Sequence, residues 1–135
     1  MKRTLGFGLA GLVVVVALAA SALAQAGHPL KGSWSGDWGP TPEHRNRVLL
    51  LLDWDGSEVS GVINPGRNAV PLRSATLDAE DWTVRFEAEA PDRNGNVLQY
   101  VIEGKVENLG SWTNRRISGT WRHGNESGDF LVILN

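Results

Sequence analysis

Along most of the chain apolar residues recur at every second position in short runs, each cut by Gly, Pro, Asn or Asp. That period belongs to strands with one buried and one wet face, and turn residues at this spacing belong to an all-β domain. Past the N-terminal segment no stretch sustains apolar residues at helical spacing.

The pattern predicts eight strands. The first runs from Leu30 to Trp38, with Trp34, Gly36 and Trp38 on one face, and ends at a loop holding Gly39, Pro40 and Pro42. The second is Arg47 to Trp54. Val48, Leu50, Leu52 and Trp54 share one face while Leu49 and Leu51 occupy the other, a composition that asks for cover on both sides. Asp55-Gly56 makes the hairpin turn, because glycine supplies the positive φ of a tight turn.

The third strand is Glu58 to Asn64, closed by Pro65-Gly66, and the fourth is Ala69 to Leu77. The fifth is the cleanest: Trp82, Val84, Phe86 and Ala88 alternate with Thr83, Arg85, Glu87 and Glu89. A turn tipped by Asn94-Gly95 leads to the sixth, Val97 to Val106. The seventh is Arg116 to Arg122 and the eighth Gly128 to Leu134. Glycines inside these runs mark bends, and strands bent at glycines can curl into a closed barrel that has no free edge. The expected architecture is therefore an antiparallel meander closing into an eight-stranded barrel, with a two-sheet sandwich as the alternative.

The N-terminus reads differently. Met1-Lys2-Arg3 is a basic start, Leu9 to Ala20 is an uncharged apolar run, and small residues follow in two A-x-A sites, Ala22-Leu23-Ala24 and Ala24-Gln25-Ala26. This ordered triplet is a signal helix for export. The rival is an uncleaved anchor, since Leu5 to Ala24 matches the roughly 20 residues a membrane span requires. The small-residue ending favours cleavage. A cut after Ala26 leaves residues 27–135 as a single all-β domain, released to the periplasm or the exterior with no stable membrane anchor.

The leader carries Lys2 and Arg3 of the 13 basic residues and none of the 15 acids, so the remaining domain has a net charge of about −4. That balance disfavours a nucleic-acid partner and an electrostatic membrane surface. There is no cysteine. An exported domain of this size is then held by its core and not by disulfides, and six tryptophans supply large buried area.

Gly32-Ser33-Trp34 at the opening, Asp55-Gly56 followed by Ser60-Gly61, and Ser118-Gly119-Thr120-Trp121 near the end span most of the domain in order. In these short motifs the chain resembles small up-and-down β-barrels of the lipocalin-like and avidin-like kind. The resemblance implies a small apolar or amphipathic ligand in the barrel mouth. It departs from the avidin-like pattern in having a single tyrosine, Tyr100, which speaks against biotin.

Candidate ligand-binding residues are accordingly Trp34, Trp38, Trp54, Trp112 and Trp121. Core packing is the competing reading, strongest for Trp34, Trp82 and Trp121, which sit in alternating runs. No cofactor and no metal site is expected: the calcium-like segments Asp53–Glu58 and Asp92–Glu103 fit hairpin turns better, with Val97 where a calcium loop needs glycine. His28, His44 and His123 lack metal-ligand spacing. No nucleophile motif occurs, and a carboxylate pair drawn from Asp37, Asp53 and Glu103 is the residual enzymatic option. Arg115, Arg116 and Arg122 read as a solvated basic face. The expected function is a non-enzymatic ligand-binding barrel, monomeric or homodimeric. The alternative is a protein-interaction or inhibitor module using the second face of the Val48–Leu52 strand.

Overall fold

A computed structural model describes residues 28–111 and 114–135. Its eight strands are β1 (Gly32–Thr41), β2 (His44–Trp54), β3 (Val59–Ile63), β4 (Val70–Asp78), β5 (Thr83–Pro91), β6 (Val97–Glu107), β7 (Arg116–His123) and β8 (Glu126–Leu134). They form one closed antiparallel barrel in sequence order, completed by the pairing of β1 with β8. The sandwich alternative is thereby set aside. Residues 1–26, read above as a signal helix, and Trp112 lie outside the described residues.

Closure depends on glycine where two strands approach closely. A Cβ at Gly36 would overlap the carbonyl oxygen of Leu131, across the β1–β8 seam. One at Gly119 would overlap the carbonyl of Glu103, where Gly119 faces Gly104 between β7 and β6. These positions let the wall fold sharply inward.

Alternation sorts the side chains as the sequence predicts. Val84, Phe86 and Ala88 of β5 are buried, while Arg85 between them is exposed. The core also takes Leu50 and Leu52 from β2, Val106 from β6, Ile117 and Trp121 from β7, and Phe130, Val132 and Leu134 from β8. Trp82 precedes β5 and does not begin it. Its φ of 58° is left-handed and its carbonyl accepts the N–H of Val106 at 2.8 Å, so it turns the chain while packing against the core.

The outer wall of β5 to β7 is laced by ion pairs. Arg85 reaches Glu103 at 2.8 Å and Glu87 at 3.2 Å, Arg122 reaches Glu103 at 3.1 Å, and Arg116 reaches Glu107 at 2.9 Å. Such exposed pairs each contribute little, but they keep this side wet. The opposite side is more apolar: Leu51, Leu131 and Ile133 are exposed beside the outward Ser33, Ser35 and Asp37 of β1. Among the described residues, no element of the chain covers the second face of β2.

The β2–β3 turn is held by Asp55, whose carboxylate accepts from the Ser57 and Glu58 amides at 2.8 and 2.7 Å and from the Ser57 hydroxyl. The Glu58 and Ser57 amides lower its pKa, and the Arg116 and Ser118 side chains lower that of Glu107. For a carboxyl with a lowered folded pKa, the unfolded chain takes up protons first as pH falls. Stability from these groups is complete above the ordinary carboxylate range and is lost as pH falls through the folded value. The melting temperature is expected to drop as pH is lowered below about 4, and Asp55→Asn to flatten that drop, read by circular dichroism across pH.

Candidate functional site

The two ends of the barrel are built differently. At one end the chain before β1 turns under the strands. Leu30 is fully buried, and the indole N–H of the equally buried Trp34 donates to the Leu30 carbonyl at 2.8 Å. Arg115 donates to the carbonyls of Pro29 at 3.0 Å and Leu109 at 2.8 Å, tying the segment before β1 to the β6–β7 connection. The ring of His28 stacks on Trp54 with centroids 4.4 Å apart, and burial lowers the His28 pKa. This end is closed.

Arg115 thus differs from its expected place on a solvated basic face: it is 5% exposed and fastens the closed end. Arg116 and Arg122 do lie outside, paired with acids. The alternation contained the signal. Ile117, Gly119 and Trp121 point inward, and Arg115 lies two residues before Ile117 on the same face.

At the other end lies a cavity of about 180 Å³. One wall is aliphatic, with Val48, Ile63, Val70 and Leu72 contributed by β2, β3 and β4. The facing wall is aromatic, with Trp38, Phe86, Tyr100, Trp121 and Phe130. The rings brace one another: Trp38 meets Trp121 edge-on at 5.0 Å, Tyr100 lies 6.3 Å from Trp121, and His123 lies 4.7 Å from Tyr100. The Trp121 indole N–H donates to the Asp129 carbonyl at 3.2 Å, which fixes the ring. Edge-to-face packing of this kind is a favourable arrangement of aromatic rings, and it ties Trp38 to Trp121 within this wall.

Two polar residues border this lining, the half-buried Tyr100 and the exposed Asn64. Asn64 directly follows β3 in a left-handed conformation, φ 52°, and its Oδ1 accepts the Leu49 amide at 3.0 Å. Burial raises the Tyr100 pKa, assisted by the nearby charges of Glu126 and Asp92, so the phenol stays protonated.

The candidate tryptophans therefore divide. Trp38 and Trp121 line the cavity together. Trp34 is core beneath it, and Trp54 sits at the closed end against His28. Trp112 is not described. Tyr100, Phe86 and Phe130 join the lining without having been singled out. The carboxylates considered for catalysis stand on the outer wall: Asp37 pairs with Arg45 at 2.7 Å, Asp53 approaches Lys31 at 4.0 Å, and Glu103 is held by Arg85 and Arg122.

Trp54 carries a buried indole N–H with no acceptor among the described residues. An unmet buried donor costs roughly 1–3 kcal/mol. Trp54→Phe keeps most of the ring against His28 and removes that donor, so it is expected to leave stability unchanged or raise it by up to about 1 kcal/mol, measured by urea denaturation.

Comparison with protein-family models, curated proteins and solved structures returned no match.

Proposed function

We propose that this protein is an exported, non-enzymatic β-barrel that holds one small, largely apolar molecule in the cavity at its open end, as the lipocalin-like resemblance implies. The observation that carries the reading is the asymmetry of the barrel. One end is packed shut by Leu30, Trp34 and Arg115, and the other keeps an apolar hollow behind braced aromatic rings. A fold maintained only for stability has no use for such a void, because unfilled core volume costs contacts and stability.

The size of the hollow limits the ligand. An engineered apolar cavity of about 150 Å³ binds benzene, so 180 Å³ suits a substituted single ring or a short acyl chain, smaller than the usual drug-sized ligand. Native mass spectrometry of the protein purified gently from its producing cells tests the reading. The expected spectrum holds a species with a small added mass that is lost on mild activation. A bare protein that also takes up no small aromatic or acyl compound from a panel contradicts it. The mass of the chain reports at the same time whether cleavage follows Ala26.

A second reading rests on the outer wall. Leu51, Leu131 and Ile133 are 38%, 37% and 42% exposed, and with the partly covered Leu49 they flank the serine-lined strip of β1. This patch suits a second copy of the chain. Sedimentation that stays monomeric at high protein concentration removes that reading without touching the first.

A further inference from the structure

The polar atoms at the cavity say what kind of small molecule fits, an inference that rests on the ligand-binding reading above. No Lys, Arg, His, Asp or Glu lines the hollow. An ionised ligand group there would lose water and gain no opposite charge, which is strongly unfavourable. The lining is not featureless, however. The Oδ1 of Asn64 is committed to the Leu49 amide, which leaves the Nδ2 as a donor only, and that donor has no protein acceptor among the described residues. The hydroxyl of Tyr100 likewise has no protein partner among them, its surroundings being the rings of Trp38, Trp121 and His123. A protonated phenol can donate as well as accept, and the carboxylates of Asp92 and Glu126 act on Tyr100 in the direction that keeps it protonated.

From this arrangement we infer that the ligand is a neutral single-ring or similarly compact molecule carrying one hydrogen-bond acceptor, such as a ketone, ester or lactone carbonyl, its apolar body against Trp38, Trp121 and Phe130 and its acceptor at Tyr100 or Asn64. A carboxylic acid in its ionised form is excluded by the same lining.

Three probes of nearly equal size separate the possibilities by calorimetric titration of the full domain: acetophenone (neutral, with an acceptor), ethylbenzene (neutral, without one) and benzoate (anionic). Acetophenone is expected to bind about tenfold more tightly than ethylbenzene, the worth of one neutral hydrogen bond, and benzoate most weakly. Tyr100→Phe keeps the ring and removes the hydroxyl. Asn64→Asp keeps the Leu49 bond and the left-handed backbone but removes the donor. Loss of the acetophenone preference in either variant, with ethylbenzene binding retained, supports the inference. Equal binding of ethylbenzene and acetophenone, tightest binding of benzoate, or a preference surviving in both variants overturns it and leaves the cavity as a ligand site. Failure of all three probes to bind overturns the ligand-binding reading itself.

Discussion

Trp34→Ala is expected to lower the unfolding free energy by about 3–5 kcal/mol, the range for emptying a large aromatic site in a core. Against a total of roughly 5–15 kcal/mol for a domain, that is enough to unfold much of the protein near its growth temperature. The size of the effect follows from what Trp34 touches. Its side chain is fully buried, and its indole N–H holds the Leu30 carbonyl at 2.8 Å. Leu30 is fully buried in its turn, and the Pro29 carbonyl beside it is the acceptor for Arg115. Removing the ring therefore empties the core and also releases the segment that shuts the closed end. Equilibrium unfolding in urea reads the loss directly. A cost below about 0.5 kcal/mol, the scale of an ordinary surface substitution, would mean that the closed end is held by something other than this packing.

The second large effect is on binding and leaves the fold in place. Ala88 is 3% exposed, lies opposite Leu72 on β4 and Tyr100 on β6, and lines the cavity. Ala88→Phe directs a phenyl ring into a hollow with room for about one such ring. Affinity for a small aromatic probe is expected to fall by roughly a hundredfold or more, about the worth of burying one such group. The melting temperature should hold or rise, because the added ring fills space that is already there. Binding unchanged in a folded Ala88→Phe variant would place the ligand elsewhere.

These expectations draw on two kinds of information, and the sequence carried them unequally. The strands were legible because alternation is local. The order of buried and exposed residues from Val84 to Ala88 is written in the chain, and Asp55-Gly56 and Asn94-Gly95 mark their turns without help from distant residues. Closure was legible through glycine: Gly36 and Gly119 stand where two backbones approach too closely for a Cβ.

Height along the barrel was not legible. Trp34, Trp38, Trp54 and Trp121 all occupy inward positions, yet two face the cavity and two do not. What separates them is strand register across the barrel. Trp38 faces Asn46 on β2 and Phe130 on β8, whereas Trp54 faces Val59 at the far end. Register is a long-range property that a single strand's pattern cannot state. The same limit hid Tyr100, an ordinary partly apolar position until the ladder sets it opposite Ala88 and the ring contacts bring Trp38, Trp121 and His123 around it. Arg115 was misread for a different reason. Charge argued for water, although the period of two placed it inward with Ile117, and the N–H groups of its two terminal guanidinium nitrogens let it satisfy the carbonyls it meets there.

The measurement that bears most directly on the ligand-binding reading is a two-dimensional nitrogen–proton NMR titration of the domain with acetophenone, observing the tryptophan indole N–H signals. Binding in the open-end cavity predicts progressive, saturable shifts for Trp38 and Trp121, with Trp34 and Trp54 nearly still. Shifts confined to Trp34 and Trp54, or no saturable shift at any indole, would contradict it.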